Sequence, residues 1–341
     1  MRPSIRVRDL SVSQIQEMEI AKVVSRGSRI VIMDEPTSSL TDSEIAKLFK
    51  TITTLKNNRV SIIYISHKLD ELFKIADRVT VLRDGNYIST YEIGSTSRDQ
   101  LIKDMVGRQL KDVFPKTDRV PGEVVLKVDG FGKANQFYDI SFELRRGEIL
   151  GFFGLVGAGR TEMVSTIFGS QHPDSGTLHV FGRKVSIRHP FVAIKNQIAL
   201  ISENRKQYGL NLLASVKDNL LMVIQRKLTA FGVLKENRGV KLSEEKIAQL
   251  RIKVASRQQL VGNLSGGNQQ KVVIGKWLLS EPEIIIMDEP TRGIDVGAKA
   301  EIYQLVQDLA NKDKAIILIS SEMEEIIGLC DRMIVLHEGR I

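Results

Sequence analysis

The sequence predicts an α/β protein built from two parallel-sheet units, the second with an added antiparallel β layer and the first incomplete. Three observations carry this. Short apolar runs that end in acids alternate with helical patterns, as in Ile30-Val-Ile-Met33 and Ile284-Ile-Ile-Met287. The string Met33-Asp34-Glu35-Pro36-Thr37 returns as Met287-Asp288-Glu289-Pro290-Thr291. The return keeps one register, an offset of 254 residues (288 − 34), which also pairs Leu10-Ser11-Val12-Ser13-Gln14 with Leu264-Ser265-Gly266-Gly267-Asn268, Asp77-Arg78 with Asp331-Arg332, and Gly85 with Gly339. Several matches in one fixed register mark an internal duplication rather than chance.

Element by element, Ile30–Met33 and Ile284–Met287 read as strands buried on both faces, as in a parallel sheet. Val60–Ile65 and Ala315–Ile319 read the same way. The helical patterns Ser43–Lys56 and Ala298–Asn311 lie between them, so strand, helix and strand form βαβ units. Val124–Val128 and Ile140–Leu144 are short and partly alternating, which predicts the antiparallel layer. Residues 114–122, with two prolines and a glycine among charged residues, read as a linker. The expected division is 1–113, linker 114–122, and 123–341. The first unit matches the second only from deep inside it, and the second stops just after the Gly339 turn. The expectation is therefore a fragment of a longer protein, cut at both ends.

Composition bounds the function classes. The chain has 341 residues, 42% of them apolar and 26% charged, ordinary values for a globular protein. Cys330 is the single cysteine, which excludes an internal disulfide and suits a reducing compartment. No apolar run approaches the roughly 20 residues of a membrane helix, and the opening residues, with Arg2, Arg6, Arg8 and Asp9 before no apolar core, do not read as a signal peptide. The net charge of +8 is spread along the chain. It therefore reads as solvated surface, and no nucleic-acid partner is expected.

Chemistry concentrates in a few motifs. Gly154-Leu-Val-Gly157-Ala158-Gly159-Arg160-Thr161 follows the apolar strand Glu148–Phe153 and opens the helical run Glu162–Phe168. That is the strand, loop and helix context of a phosphate-binding loop. Its N–H groups converge on phosphate oxygens at a helix N-terminus, and Thr161 is a candidate Mg²⁺ ligand. Arg160 stands where the pattern expects lysine. A planar guanidinium fits poorly as a compact charge between phosphates, which predicts a site that binds nucleotide and hydrolyses it poorly. Asp34 and Asp288 can hold Mg²⁺ through water, while Glu35 and Glu289 can orient or deprotonate the attacking water. Leu264–Lys271 places two glycines before a helical run from Val272 to Ser280, exposing N–H groups to an anion. The first copy has Val12 and Ser13 in place of those glycines, which compromises close backbone approach. His67 follows the strand Ser61–Ile65, and its register partner is Ser321, which cannot switch charge.

Together these residues resemble the ATP-binding-cassette (ABC) ATPases, over nearly the whole chain. Leu264–Lys271 is similar to the family signature, with Ser265, Gly266, Gly267 and Gln269 contacting nucleotide. Met-Asp-Glu-Pro-Thr is similar to the Walker B segment, with Glu35 and Glu289 as catalytic glutamates. His67 resembles the switch histidine, and Gly154–Thr161 a degenerate Walker A. Glu203 stands where the family has its glutamine loop. Ser11, Val12 and Ser13 form a degenerate signature. A tandem P-loop NTPase chain with these departures resembles the ATP-binding subunits of bacterial monosaccharide importers for galactose and methyl galactoside, with ribose and xylose importers close by.

The resemblance implies tandem cassettes with a parallel sheet core, an antiparallel β layer and a helical subdomain. It implies ATP and Mg²⁺ as cofactors. It also implies transmembrane permease partners, a sugar-binding protein beyond them, and a peripheral place on the cytoplasmic face of the inner membrane. In the family, each Walker A pairs with the other cassette's signature, so one site here would be degenerate on both sides. The other would use Asp34, Glu35 and His67 with Ser265, Gly266 and Gly267. A soluble tandem ATPase of translation or repair, and a fragment that binds nucleotide without turnover, stand as alternatives.

Overall fold

The computed structural model describes residues 5–7, 10, 12–25, 27–37, 40, 42–66, 68–83, 85–106, 114, 119–155, 157–230 and 233–341. The chain divides into two compact units, Met1–Gln109 and Leu110–Ile341.

The first unit runs α1 (Val12–Ser25), β1 (Ile30–Asp34), α2 (Asp42–Asn57), β2 (Ser61–Ile65), α3 (Leu69–Ile75), β3 (Arg78–Arg83), β4 (Asn86–Glu92) and α4 (Arg98–Val106). β1 and β2 pair in parallel, Ile30 opposite Ser61. Their small core joins Val31 and Met33 to Leu48, Ile52 and Leu55 of α2. The expectation of burial on both faces fails here. Ile30, Ile32, Ile63 and Ile65 are 48–65% exposed, because helices cover only one face of this two-stranded sheet among the described residues. β3 and β4 form an antiparallel hairpin turning at Gly85, whose φ of +77° suits glycine.

The second unit opens with β5 (Val124–Lys133), β6 (Phe137–Arg145), β7 (Ile149–Phe153), α5 (Arg160–Ile167), β8 (Ser175–Val180), β9 (Arg183–Val185), α6 (Pro190–Lys195) and β10 (Ile198–Ile201). A mostly helical stretch follows: α7 (Val216–Leu221), α8 (Gln225–Leu228), the short ladder β11 (Thr229–Ala230) with β12 (Val233–Leu234), α9 (Glu236–Gln249) and α10 (Gly266–Leu278). The unit closes with β13 (Ile284–Asp288), α11 (Val296–Ala310), β14 (Ala315–Ile319), α12 (Met323–Leu329) and β15 (Arg332–Val335).

The core of this unit is a five-stranded sheet in the order β10-β13-β14-β7-β15, parallel throughout. Here the reading of β13 and β14 as strands buried on both faces holds. The antiparallel layer is also present, in the order β6-β5-β8-β9. Apolar residues of both sheets form one core, with Leu126 and Phe142 from the layer and Ile286 and Ile317 from the parallel sheet. Phe142 meets Phe152 edge to face at 5.0 Å, a geometry aromatic pairs favour.

Part of the expected linker is docked on the second unit. Phe114 stacks on Tyr303 at 5.1 Å, and the Arg119 guanidinium pairs with Asp331 at 3.1 Å. An arginine whose side chain is largely buried against a carboxylate partner, and an aromatic ring stacked on a flat neighbour, hold these two residues.

Within each unit by itself, the 254-residue register recurs in the backbone. α3 and α12 correspond end to end, as do β2 and β14. Glu35 and Glu289 both take positive φ, 47° and 48°. Each donates its backbone N–H to the neighbouring strand, Glu35 to Ile65 O at 2.9 Å and Glu289 to Ile319 O at 3.0 Å.

Candidate nucleotide site

The phosphate-type loop leaves the carboxyl end of β7, and Asp288 and Ser320 stand at the carboxyl ends of β13 and β14. In an open parallel sheet this edge is where ligands bind. Gly159 precedes α5 with a φ of +90°. A Cβ there would lie 2.6 Å from the carbonyl oxygen of Gln136, so only glycine fits the bend. Gly154, Gly157 and Ala158 complete the loop, and Thr161 sits on the first turn of the helix.

The Thr161 hydroxyl lies beside Asp288 and favours its ionised form. Asp288 is 2% exposed. Burial, above all, pushes its carboxyl up to about 6, with Glu289 adding and Thr161 and Arg160 opposing. Its Oδ1 is buried with no hydrogen-bond partner. A buried carboxylate oxygen left without a donor, beside a threonine hydroxyl, is a donor set that fits a hard divalent cation.

Arg160 turns inward. Its side chain is 9% exposed, its Nη1 donates to Ser320 O at 3.0 Å, and its Nη2 lies 3.5 Å from Glu289 Oε1. Ser321 Oγ donates to the other oxygen of Glu289 at 3.2 Å. Burial is the largest influence on Glu289 and leaves its carboxyl above the usual range despite both partners. Both of its oxygens are therefore engaged by protein groups, which opposes free use of the carboxylate as a base.

The signature-like segment differs from expectation in one respect. α10 starts at Gly266, so Gly266 and Gly267 lie in its first turn rather than in a loop ahead of Val272. Ser265 occupies the cap position without a side-chain cap bond, and its hydroxyl accepts from Asn268 Nδ2 at 3.0 Å. Gln269 is buried and donates to Val261 O. Its amide thus braces the turn before the helix.

Sequence reasoning missed Arg205. Its guanidinium donates to the carbonyls of Arg292 and Gly293 at 2.6 and 3.0 Å, and a Cβ at position 266 would come within 2.8 Å of it. Glu203, at the glutamine-loop position, pairs with Arg292. The signal was the charged string Glu203-Asn-Arg205 facing Thr291-Arg292-Gly293, two basic residues and one acid around a glycine turn.

In the first unit, Asp34 ends β1 and Glu35 begins the following turn. Val12 and Ser13 open α1. His67 and Ser11 lie outside the described residues.

Comparisons with known proteins give the family and the fold. The model of the ABC transporter family matches residues 137–292. A galactose/methyl galactoside import ATP-binding protein of Clostridium perfringens is 49% identical over 100% of this chain and 67% of its own length. One of Clostridium tetani is 49% identical over 99% of this chain and 68% of its own. A provisionally named ribose/galactose/methyl galactoside import ATP-binding protein of Geobacillus kaustophilus is 51% identical over 99% and 67%. The chain belongs to the ATP-binding subunits of ABC transporters. It spans about two thirds of the length of these relatives. Solved ATP-binding cassettes share the fold. One in its ADP conformation has a TM-score of 0.55 at 20% identity over 64% of this chain and 89% of its own. A dimeric cassette bound to ADP and phosphate has a TM-score of 0.55 at 20% identity over 63% and 96%.

Proposed function

We propose that this chain is part of an ATP-hydrolysing subunit that energises monosaccharide import, with galactose or methyl galactoside as the favoured cargo and ribose or xylose next. The observation that carries the reading is identity near one half along 99% or more of the chain to import ATP-binding proteins. The chain carries two cassette-derived units, the first of them partial, and docks peripherally on permease subunits at the cytoplasmic face of the inner membrane. A sugar-binding protein delivers cargo to the permease.

Within this reading the two units divide the work. The loop Gly154–Thr161 cradles the phosphates of ATP. Thr161 and Asp288 would hold Mg²⁺, which screens phosphate charge when bound, and Asp34 would do the same in the first unit. Arg160 neutralises Glu289, so this loop retains nucleotide with little turnover. Glu35 orients the attacking water and His67 senses the terminal phosphate, while Ser265, Gly266, Gly267 and Gln269 supply the competent signature. Val12, Ser13 and Glu203 mark the weaker set.

The test is phosphate release by the complete gene product in vesicles with its permease and binding protein. Galactose should stimulate it several-fold, and ribose less. Equal rates with and without any sugar, and no copurifying permease, would contradict an importer and favour a soluble ATPase.

A further inference from the structure

One buried carboxylate recurs in both units and is absorbed by none of the roles above. In the second unit Glu325, 1% exposed, gathers three hydroxyls. Thr291 Oγ1 donates to it at 2.7 Å, Tyr303 OH at 2.5 Å and Ser320 Oγ at 2.6 Å. Lys299 Nζ supplies positive charge at 3.5 Å. In the first unit Glu71, its register partner, does the same. Tyr64 OH donates at 2.7 Å and Ser66 Oγ at 3.2 Å. The Thr37 hydroxyl favours the ionised carboxyl, and Lys68 Nζ, 3.3 Å from Glu71, bridges to Thr37 O and Oγ1 at 3.4 Å. Burial, the largest influence, pushes the Glu71 carboxyl up. The hydroxyls of Thr37 and Tyr64 and the charge of Lys68 outweigh it and leave the group below the usual range.

Two of the partners are register equivalents, Thr37 with Thr291 and Ser66 with Ser320. The other two are not. Tyr64 corresponds to Leu318, and Tyr303 corresponds to Phe49. Lys68 corresponds to Glu322, and Lys299 corresponds to Ile45. The phenol comes from strand β2 in one unit and from helix α11 in the other. The cation likewise comes from the loop before α3 in one and from α11 in the other. A phenol and a cation delivered from different elements to the same carboxylate mean that the donor set, rather than any one side chain, is what each unit keeps.

The equivalent partners show what the set holds. Thr37 and Thr291 stand two residues after Glu35 and Glu289, in the turn that gives those glutamates their positive φ. Ser66 and Ser320 stand immediately before positions 67 and 321. Each buried glutamate thus ties the turn of the strand-ending acids to the loop of the switch position. We propose that Glu71 is a positioning residue for ATP hydrolysis, a latch that keeps these two loops in register, and that Glu325 is the same latch in the unit that turns over little. The proposal rests on the ATPase reading. Satisfying a buried charge would need donors from any direction, whereas in both units the carboxylate joins the same two loops, directly through Thr291 and Ser320 in the second and through Ser66 and the Lys68 bridge to Thr37 in the first.

The test uses the complete gene product with its membrane partners and a transplant of the phenol. Tyr64→Phe should lower kcat about tenfold, the scale of one hydrogen bond to a charged group, with KM for ATP within twofold. Glu71→Gln should lower it further. Tyr64→Phe combined with Phe49→Tyr should recover at least half of the wild-type kcat. Hydrogen exchange at the Glu35 amide should quicken in Tyr64→Phe and return in the double variant. A double variant as slow as the single one, with a wild-type melting temperature, would overturn the latch, as would a Tyr64→Phe enzyme of wild-type kcat. A wild type that binds ATP but releases no phosphate would contradict the ATPase reading instead. Unchanged protection of the Glu35 amide in Tyr64→Phe would then overturn the latch separately.

Discussion

Arg160 shows how much one side chain changes a phosphate loop. A lysine there would reach outward as a point charge, but the guanidinium is spent on Ser320 O and Glu289. Arg160→Lys should tighten binding of a fluorescent ATP analogue roughly tenfold, the scale of one charge-assisted contact to phosphate. Turnover at this loop should change far less, because Ser321 still stands where a histidine would. Fluorescence titration beside single-turnover phosphate release measures both, and a variant that gains turnover more than affinity would contradict the assignment. The lysine-to-arginine departure was legible in the sequence. The inward turn of the side chain was not, since it depends on a carboxylate 129 positions away (289 − 160) that only the parallel order of β7, β14 and β13 brings near.

At the scale of elements, the loop and helix geometry sets narrow tolerances. Gly159→Ala should abolish nucleotide binding, since its Cβ would press on Gln136 O at 2.6 Å from a backbone at φ +90°. Isothermal titration with ATP checks this, with Gly182→Ala, an open position of positive φ, as the control that keeps binding. Helix α10 carries a second constraint. Lys276 is 5% exposed and donates to Gly209 O at 2.5 Å, and burial lowers its ammonium to about 8. The folded chain therefore binds fewer protons than the unfolded one between pH 8 and roughly 10.4. The burial penalty is complete below about pH 8 and is relieved as pH rises through that window. Lys276→Met should be more stable than the wild type by roughly 1–3 kcal/mol at pH 7, with the gain shrinking toward pH 10. Denaturant melts at both pH values check it. The helices and strands themselves were legible from apolar periodicity. The start of α10 was not, because two glycines lower helix propensity while tertiary packing against Arg205 and Ala298 holds the first turn.

Across the whole molecule, the recurring 254-residue register was the most legible feature, because identical strings impose the same strand ends and turns. What covers a strand was less legible. The runs Ile30–Met33 and Ile284–Met287 are nearly the same, yet one is exposed on one face and the other is buried on both. An apolar run records that burial is favourable and not which layer supplies it. The chemical asymmetry between the units is the central claim, and two glutamine substitutions in the complete gene product, reconstituted with its permease, test it most directly. Glu35→Gln should reduce steady-state phosphate release by on the order of 10²–10⁴-fold, the contribution of positioned proton transfer. Glu289→Gln should leave most of the rate, since Arg160 and Ser321 already hold that carboxylate. Equal losses in the two variants, or a larger loss in Glu289→Gln, would contradict the account.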